Sequence, residues 1–166
     1  MFIGSLEDLQ SNLLEWFSSY GRSWIPWKLK ENGTLYKNSE LIDPYKIWIA
    51  EMMLQQTQLQ VALPYWKKWM KTLPNLIDLT ESDLHDVLML WQGLGYYSRA
   101  KNVYNSSHLL LKLIGKDNSL NPLFWPSKID VWMTLPGIGR STAASIVSSA
   151  FWYLFFPTLF KSNLIE

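Results

Sequence analysis

The sequence predicts an all-α protein made of short helices joined by brief connections. Three observations carry this. Apolar residues recur at helical spacing through most of the chain, no run alternates apolar and polar residues with period two, and the intervals between helical patterns are short and punctuated by Gly, Pro, Asn and Asp. At 166 residues, 48% of them apolar, the chain fits one domain and is long enough to bury a core. No internal repeat or low-complexity tract interrupts it.

The helices follow in order. Leu6, Leu9, Leu13, Leu14 and Phe17 have helical spacing, with Ser5 as N-cap and Gly21 as stop. A long connection over residues 22–42 follows, containing Ile25-Pro26-Trp27-Lys28 and the polar, loop-like Lys30-Glu31-Asn32-Gly33-Thr34. Asp43-Pro44 opens the next helix, Asp43 as cap and Pro44 in the first turn. Another helix is expected from Pro64 to about Leu73-Pro74. Thr80-Glu81-Ser82-Asp83 caps the one after it, whose apolar positions Leu84, Val87, Leu88, Leu90 and Trp91 end at Gly93-Leu94-Gly95. A longer helix from Tyr97 to Leu113 is expected to turn Ala100, Val103, Leu109, Leu110 and Leu113 inward. The organisation expected is an N-terminal helix and loop over 1–43, a helical core over 44–150 and a divergent apolar tail over 151–166.

Composition bounds the function. A net charge of +1 announces no global polyanion binding, so any such site must be local or built from backbone amides. Ten tryptophans and eight tyrosines suit either a bulky core or a stacking surface for bases, and composition does not separate the two. The absence of cysteine removes disulfides, thiolate metal sites and iron–sulfur ligation together. Residues 1–10 lack a basic segment followed by a long apolar one, so no secretory signal is read there and a cytoplasmic location is expected. The apolar stretch 150–160 is about half the length that spans a bilayer and contains Pro157, so no membrane span is expected.

Two stretches carry chemistry. In Trp48-Ile49-Ala50-Glu51-Met52-Met53-Leu54-Gln55-Gln56-Thr57, one carboxylate sits inside an apolar run, followed by two neutral amides. On a helix, Glu51 and Gln55 share a face, and Ile47, Met52 and Leu54 supply surroundings that resist ionisation. A carboxylic acid kept protonated near neutral pH is a proton donor. The plainer alternative is an amphipathic helix whose Glu51 is solvated. In Leu135-Pro136-Gly137-Ile138-Gly139-Arg140-Ser141-Thr142-Ala143-Ala144, two glycines flank one aliphatic residue between helical runs, which describes a helix, a tight hairpin and a second helix. Amides at the start of that second helix can face a phosphate, reading backbone and not sequence. The alternative is a helix–loop–helix corner without a ligand.

With both stretches in view, the chain resembles the adenine-specific DNA glycosylases of base-excision repair, a branch of the helix-hairpin-helix glycosylases. Ile25-Pro26-Trp27, Asp43-Pro44-Tyr45-Lys46-Ile47-Trp48, Glu51 through Gln58, Leu90 through Ala100, and Leu135 through Ala143 carry the resemblance, covering about Tyr20 to Ala150. It implies the helix-hairpin-helix glycosylase fold, incomplete at the C-terminus. It also implies removal of adenine mispaired with 8-oxoguanine or guanine, with double-stranded DNA as partner and a monomeric state. The resemblance makes Glu51 the acid that protonates the flipped-out purine as it leaves, a role worth about 10²–10⁴ in rate. It puts Gln56 in the gap left in the duplex, Thr57 and Leu94 beside the opposite base, Tyr96 as wedge, Trp27 and Lys28 at the adenine pocket, and Ser141 as a lesser hydroxyl near the reaction centre. It also makes Gly137, Gly139 and Arg140 the residues expected to hold the DNA backbone. For Tyr96 the alternative is a core aromatic beside a helix stop.

The tail departs from the family. A Leu-Asp-Gly-Asn-Val pattern, whose aspartate stabilises the cationic sugar, is expected after the hairpin's second helix, but Phe160-Lys161-Ser162-Asn163 stands there and no aspartate follows Asp130. The family's cysteine-ligated four-iron cluster and 8-oxoguanine-reading domain also have no counterpart, so no cofactor or metal is expected. Such a tail is what a truncation or frameshift produces. Glycoside cleavage through an oxocarbenium-like state uses two carboxylates, and losing one commonly costs about 10²–10³, so little or no activity is expected of this chain. Asp43 and Asp130 are the candidate substitutes. The competing expectations are a non-catalytic fragment that binds damaged DNA and a non-functional truncated product. Phe151, Trp152, Tyr153, Phe155 and Phe156 are expected to lack a surface to bury against.

Overall fold

The computed structural model describes residues 5–22, 24–30, 32–36 and 40–151. It divides into two compact units, Met1–Tyr36 and Lys37–Glu166.

In the first unit, α1 (Leu6–Tyr20) begins with a capping box: the Asp8 amide donates to Ser5 Oγ (3.2 Å), and the Ser5 amide donates to the Asp8 carboxylate (2.8 Å). The Ser5 amide and the Ser5 hydroxyl (2.9 Å), both donating to the Asp8 carboxylate, hold its carboxyl below its ordinary pKa. The expected cap and stop residues therefore bound the helix, although Leu6, Leu9, Leu13, Leu14 and Phe17 are all exposed. A 3₁₀ turn, Pro26–Lys28, leads into a β-bridge between Leu29 and Leu35 closed through Gly33. Trp27 is buried and Lys28 half-buried.

The second unit is built on α2 (Pro44–Leu54). Asp43 caps it, accepting from the Tyr45 amide (2.9 Å), and Pro44 occupies the first turn as expected. Around this helix Tyr45, Ile47, Trp48, Ile49, Ala50, Met52 and Met53 are all buried, so α2 is apolar on every side and runs through the core. It packs against three later helices: α3 (Leu59–Thr72), α6 (Tyr97–Ile114) and α8 (Arg140–Ala150). The shorter α4 (Leu76–Glu81) and α5 (Leu84–Trp91) pack on α6, and α7 (Ile129–Met133) packs on α8.

The tryptophans answer the question that composition left open. Trp48, Trp66, Trp69, Trp91, Trp125 and Trp132 are all buried in this unit. Tyr45, Trp48, Trp132 and Trp125 form a closed ring of aromatic contacts with centroids 6.1–6.4 Å apart. Three of their polar ends are tied down: Tyr45 Oη accepts from Trp69 Nε1 (3.0 Å) and donates to the Leu73 carbonyl (2.7 Å), Trp125 Nε1 donates to the Ser119 carbonyl (2.9 Å) and Trp132 Nε1 to the Pro126 carbonyl (2.8 Å), while Trp48 Nε1 is buried without a hydrogen-bond partner. These rings are core, not a platform for bases.

Four expectations change. α3 starts at Leu59 and runs through Pro64, because the buried stripe of Ala62, Trp66 and Trp69 extends upstream of the proline, whose ring faces solvent. α4 was not foreseen; Asn75 caps it by accepting from the Asp78 amide, and it buries Leu76 and Leu79. On α6, Leu109 (47% exposed) and Leu113 (59% exposed) face outward, and Ser106, Ser107 and Ile114 are buried beside Ala100, Val103 and Leu110. The serines are tolerated inside because each hydroxyl has an acceptor: Ser107 bonds the Tyr104 carbonyl and Ser106 the Pro136 carbonyl. Of the tail aromatics, Phe151 is buried, contrary to expectation, packed at the end of α8. The others lie outside the described residues.

Candidate active site

The expected proton donor, Glu51, stands in the last turn of α2 as the one carboxylate of a helix whose other charged residue is Lys46 near its start. It lines a cavity of about 630 Å³ together with Leu54, Gln55, Gln56, Tyr96, Ser98, Arg99, Ser141, Thr142 and Ser145. Four of these, Glu51, Gln56, Tyr96 and Ser141, were singled out from sequence, and the fold brings them together from three segments up to 90 residues apart.

The backbone around the cavity is strained in a specific way. α2 stops at Leu54, so Gln55 leaves the helix and Gln56 adopts a left-handed conformation (φ 54°). Tyr96, at the start of α6, is left-handed too (φ 49°). These are the non-glycine residues with positive φ among the described residues, and both line the cavity. Each such conformation costs about 1–2 kcal/mol for a residue with a Cβ. Both side chains are exposed, Tyr96 at 63%. By contrast Leu94 is 6% exposed, and Thr57 is half-buried.

The helix that follows the hairpin, α8, closes another wall through Ser141, Thr142 and Ser145. Gly137 is left-handed (φ 74°), and a Cβ there would overlap the Asn102 side chain of α6, so the hairpin's approach to α6 requires glycine. Gly139 differs: its conformation (φ −85°, ψ 174°) suits any residue, and a Cβ would meet nothing within 4 Å. It precedes the first turn of α8 with no side-chain cap, leaving those amides toward open space where Arg140 and Ser141 are exposed. The hairpin is pinned to the end of α2 by Gln55, whose Nε2 donates to the Gly137 carbonyl (3.0 Å) and to Thr142 Oγ1 (3.2 Å).

Two residues central to this construction were not assigned from sequence, Thr142 and Arg99. Thr142 receives Gln55; Arg99, only 5% exposed, faces the carbonyls at the end of α2 and those of Leu94 and Gly95. Burial lowers the Arg99 pKa from the ordinary guanidinium value, yet it remains a cation at neutral pH. The available signal was an arginine one residue before a buried alanine in the first turn of α6.

Comparison with known proteins bears on what this geometry is for. The profile of the family described as "HhH-GPD superfamily base excision DNA repair protein" matches residues 49–153, nearly two thirds of the chain, and takes in Glu51, the Tyr96 turn and the whole hairpin.

The chain belongs to this family.

Among curated relatives, it is 40% identical over 139 residues to the adenine DNA glycosylase of Buchnera aphidicola subsp. Baizongia pistaciae, covering 84% of this chain and 34% of the relative. It is 33% identical over 152 residues to the mouse adenine DNA glycosylase, covering 90% of this chain and 27% of that protein. The chain thus spans about a third or less of the length of these relatives. Two solved structures share its helix-hairpin-helix fold. One is a trapped endonuclease III–DNA covalent intermediate (TM-score 0.60, 20% identity, 90% of this chain and 62% of the other). The second is a thermostable thymine-DNA glycosylase (TM-score 0.66, 19% identity, 88% and 59%).

Within this HhH-GPD chain neither candidate substitute for the second carboxylate is on the cavity. Asp43 caps the opposite end of α2, eight residues or about 12 Å along the axis from Glu51, and Asp130 is exposed on α7. Trp27 and Lys28 belong to the Met1–Tyr36 unit. An iron–sulfur cluster needs thiolate ligands, and the 166 residues contain no cysteine, so they do not fit one. Among the described residues no cluster of His, Asp and Glu could hold a metal ion, and no helix is long and apolar enough to cross a membrane.

Proposed function

We propose that this chain carries the adenine-excision half-site of a base-excision repair glycosylase: it engages duplex DNA containing adenine opposite 8-oxoguanine or guanine, with Glu51 as proton donor to the departing adenine. The observation that carries the reading is the convergence on one cavity of Glu51, two exposed left-handed residues and the uncapped start of α8. Each part has a chemical use. Adenine leaves poorly as an anion and needs a proton. An extruded nucleotide leaves a gap that Gln56 can fill with amide hydrogen bonds and Tyr96 with a ring. Thr57 and Leu94 neighbour these turns on the side of the opposite base. Gly139, Arg140 and the first amides of α8 hold a phosphate, and Ser141 offers a hydroxyl at the cavity wall. Because Glu51 is the only carboxylate lining the cavity among the described residues, these 166 residues alone bind and unstack the mispair but hydrolyse it slowly.

The test is single-turnover incubation of the 166-residue chain and its Glu51→Gln variant with duplexes carrying adenine opposite 8-oxoguanine, adenine opposite guanine, or a matched pair. The expected result is preferential binding of the mispairs by both proteins, alkali-labile breaks formed slowly by the parent, and none formed by Glu51→Gln. Equal affinity for matched and mispaired duplexes refutes the reading. Breakage persisting in Glu51→Gln refutes the role of the acid. Rapid breakage by the parent refutes the need for a second carboxylate and leaves the half-site description wrong.

A further inference from the structure

The two strained turns that flank the cavity are not independent. Arg99 projects from the first turn of α6 into the space between them, and its two terminal nitrogens divide the work. Nη1 faces the Met52 (3.3 Å), Met53 (2.8 Å) and Gln55 carbonyls and Thr57 Oγ1 (3.1 Å), all on the segment that bears Gln56. Nη2 donates to the Leu94 (3.3 Å) and Gly95 (3.2 Å) carbonyls, on the segment that bears Tyr96. The guanidinium also lies 5.4 Å from the Tyr96 ring centroid and 5.6 Å from that of Trp91. Trp91 Nε1 donates to the same Gly95 carbonyl (3.1 Å), so the second turn is held from two sides.

Physical chemistry makes this one group hard to replace. The carbonyls of Met52 and Met53 are among the last of α2 and have no partner within the helix, so a buried cation there satisfies them and opposes the negative end of the helix dipole. A lysine would bring charge without the planar fork that reaches two segments at once. Left-handed residues persist only where the surroundings over-determine them, and six acceptors converging on one side chain from the end of α2 and the two turns are such surroundings.

We propose that Arg99 is a positioning residue that locks the Gln56 and Tyr96 turns into one rigid pincer, setting the separation at which the amide and the ring enter a duplex together. The functional part of this rests on the glycosylase reading above; the structural part does not. In the free protein, the clamp makes the two turns open as a unit. In the complex, it spares the pincer from being ordered at the moment of binding.

Both parts are tested with Arg99→Lys and Arg99→Gln on the full 166-residue chain. Amide hydrogen exchange in the absence of DNA reads the clamp. The Thr57 amide, bonded to the Leu54 carbonyl, and the Leu94 amide, bonded to the Trp91 carbonyl, report the two turns, and the Leu73 amide, bonded to the Trp69 carbonyl, is the reference. The expected result is exchange at least tenfold faster at both Thr57 and Leu94, with Leu73 changed less than twofold. Acceleration at one turn alone, or at neither, overturns the clamp. Should both variants fail to fold, Thr57→Val removes a single acceptor of the guanidinium; it is expected to accelerate the Leu94 amide across the clamp, and an unchanged Leu94 overturns the proposal. The functional arm uses 2-aminopurine placed beside adenine opposite 8-oxoguanine. The parent is expected to raise its fluorescence on binding, and Arg99→Lys to bind matched duplex within threefold of the parent while losing most of that rise. A rise undiminished in Arg99→Lys overturns the pincer's role in unstacking. No rise with the parent itself refutes the glycosylase reading and leaves the clamp to be decided by exchange.

Discussion

Gly137→Ala and Gly139→Ala, two residues apart on one hairpin, are expected to fail in opposite ways. At Gly137 the backbone is left-handed, which costs an alanine about 1–2 kcal/mol. The new methyl would also overlap Asn102 Nδ2 and sit 3.0 Å from both Cβ and Cγ of that residue. The amide can swing away, but Asn102 Cβ is fixed to α6, so the hairpin must retreat by a few tenths of an ångström, costing about 1 kcal/mol or more. Together these give about 3 kcal/mol, or a Tm lower by roughly 6–12 °C at this chain length. Gly139→Ala meets no atom within 4 Å and needs no unusual φ, so it is expected to melt at or slightly above the parent. Its methyl instead occupies the space a phosphate would enter, and affinity for duplex DNA is expected to fall about tenfold, or about 1.4 kcal/mol. Thermal melts by circular dichroism and binding titrations at two salt concentrations read the two effects separately. Adding Asn102→Ala to Gly137→Ala should recover part of the steric loss and none of the backbone loss. A Gly137→Ala protein within 1 kcal/mol of the parent refutes the packing account, and a Gly139→Ala protein that binds normally refutes the phosphate site.

Gln56→Gly relieves a left-handed side-chain residue at an exposed position, so it is expected to stabilise the fold by about 1 kcal/mol in a denaturant melt while reducing discrimination between mispaired and matched duplexes. Asp43 lies in the core side of the α2 cap, and burial raises its pKa, opposed by the bond from the Tyr45 amide and by Lys46. A carboxyl with a raised folded-state pKa favours folding when protonated, so its contribution grows as pH falls through the folded value toward the unfolded one and is lost as pH rises. Asp43→Asn keeps the cap acceptor without the charge and is expected to melt no lower than the parent at pH 7, its advantage closing as the pH is lowered toward the ordinary carboxylate value of about 4. Asp43→Ala loses the cap and should cost about 1 kcal/mol; a parent that gains stability relative to Asp43→Asn on going from acid to neutral pH contradicts the sign.

Much of the backbone was legible because its signals are local. Ser5 and Gly21 bound α1, Asp43-Pro44 opens α2, and Gly93-Leu94-Gly95 ends the helix before α6, each through a residue's own capping or turning chemistry. Where a local signal competed with burial, burial won: α3 passes through Pro64 because Ala62 and Trp66 are both on its buried side. The apolar pattern of α6 misled for the same reason. Leu109 and Leu113 are leucines at helical spacing, but the neighbours on that face are solvent, while Ser106 and Ser107 meet the hairpin and their own helix through hydrogen bonds.

By itself the sequence determined the helical class, the glycine hairpin, the lone carboxylate of α2 and the membership of the repair superfamily, since each is written in contiguous residues. Only the tertiary structure decided that six tryptophans of the second unit are core, that Glu51, Tyr96 and Ser141 share one cavity, and that Gln56 and Tyr96 are held in left-handed turns by a buried arginine. The reason is that an arginine's role depends on which carbonyls it meets. Those of Met53 and Gly95 are brought to Arg99 by the packing of α2 against α6, which no stretch of neighbouring residues contains.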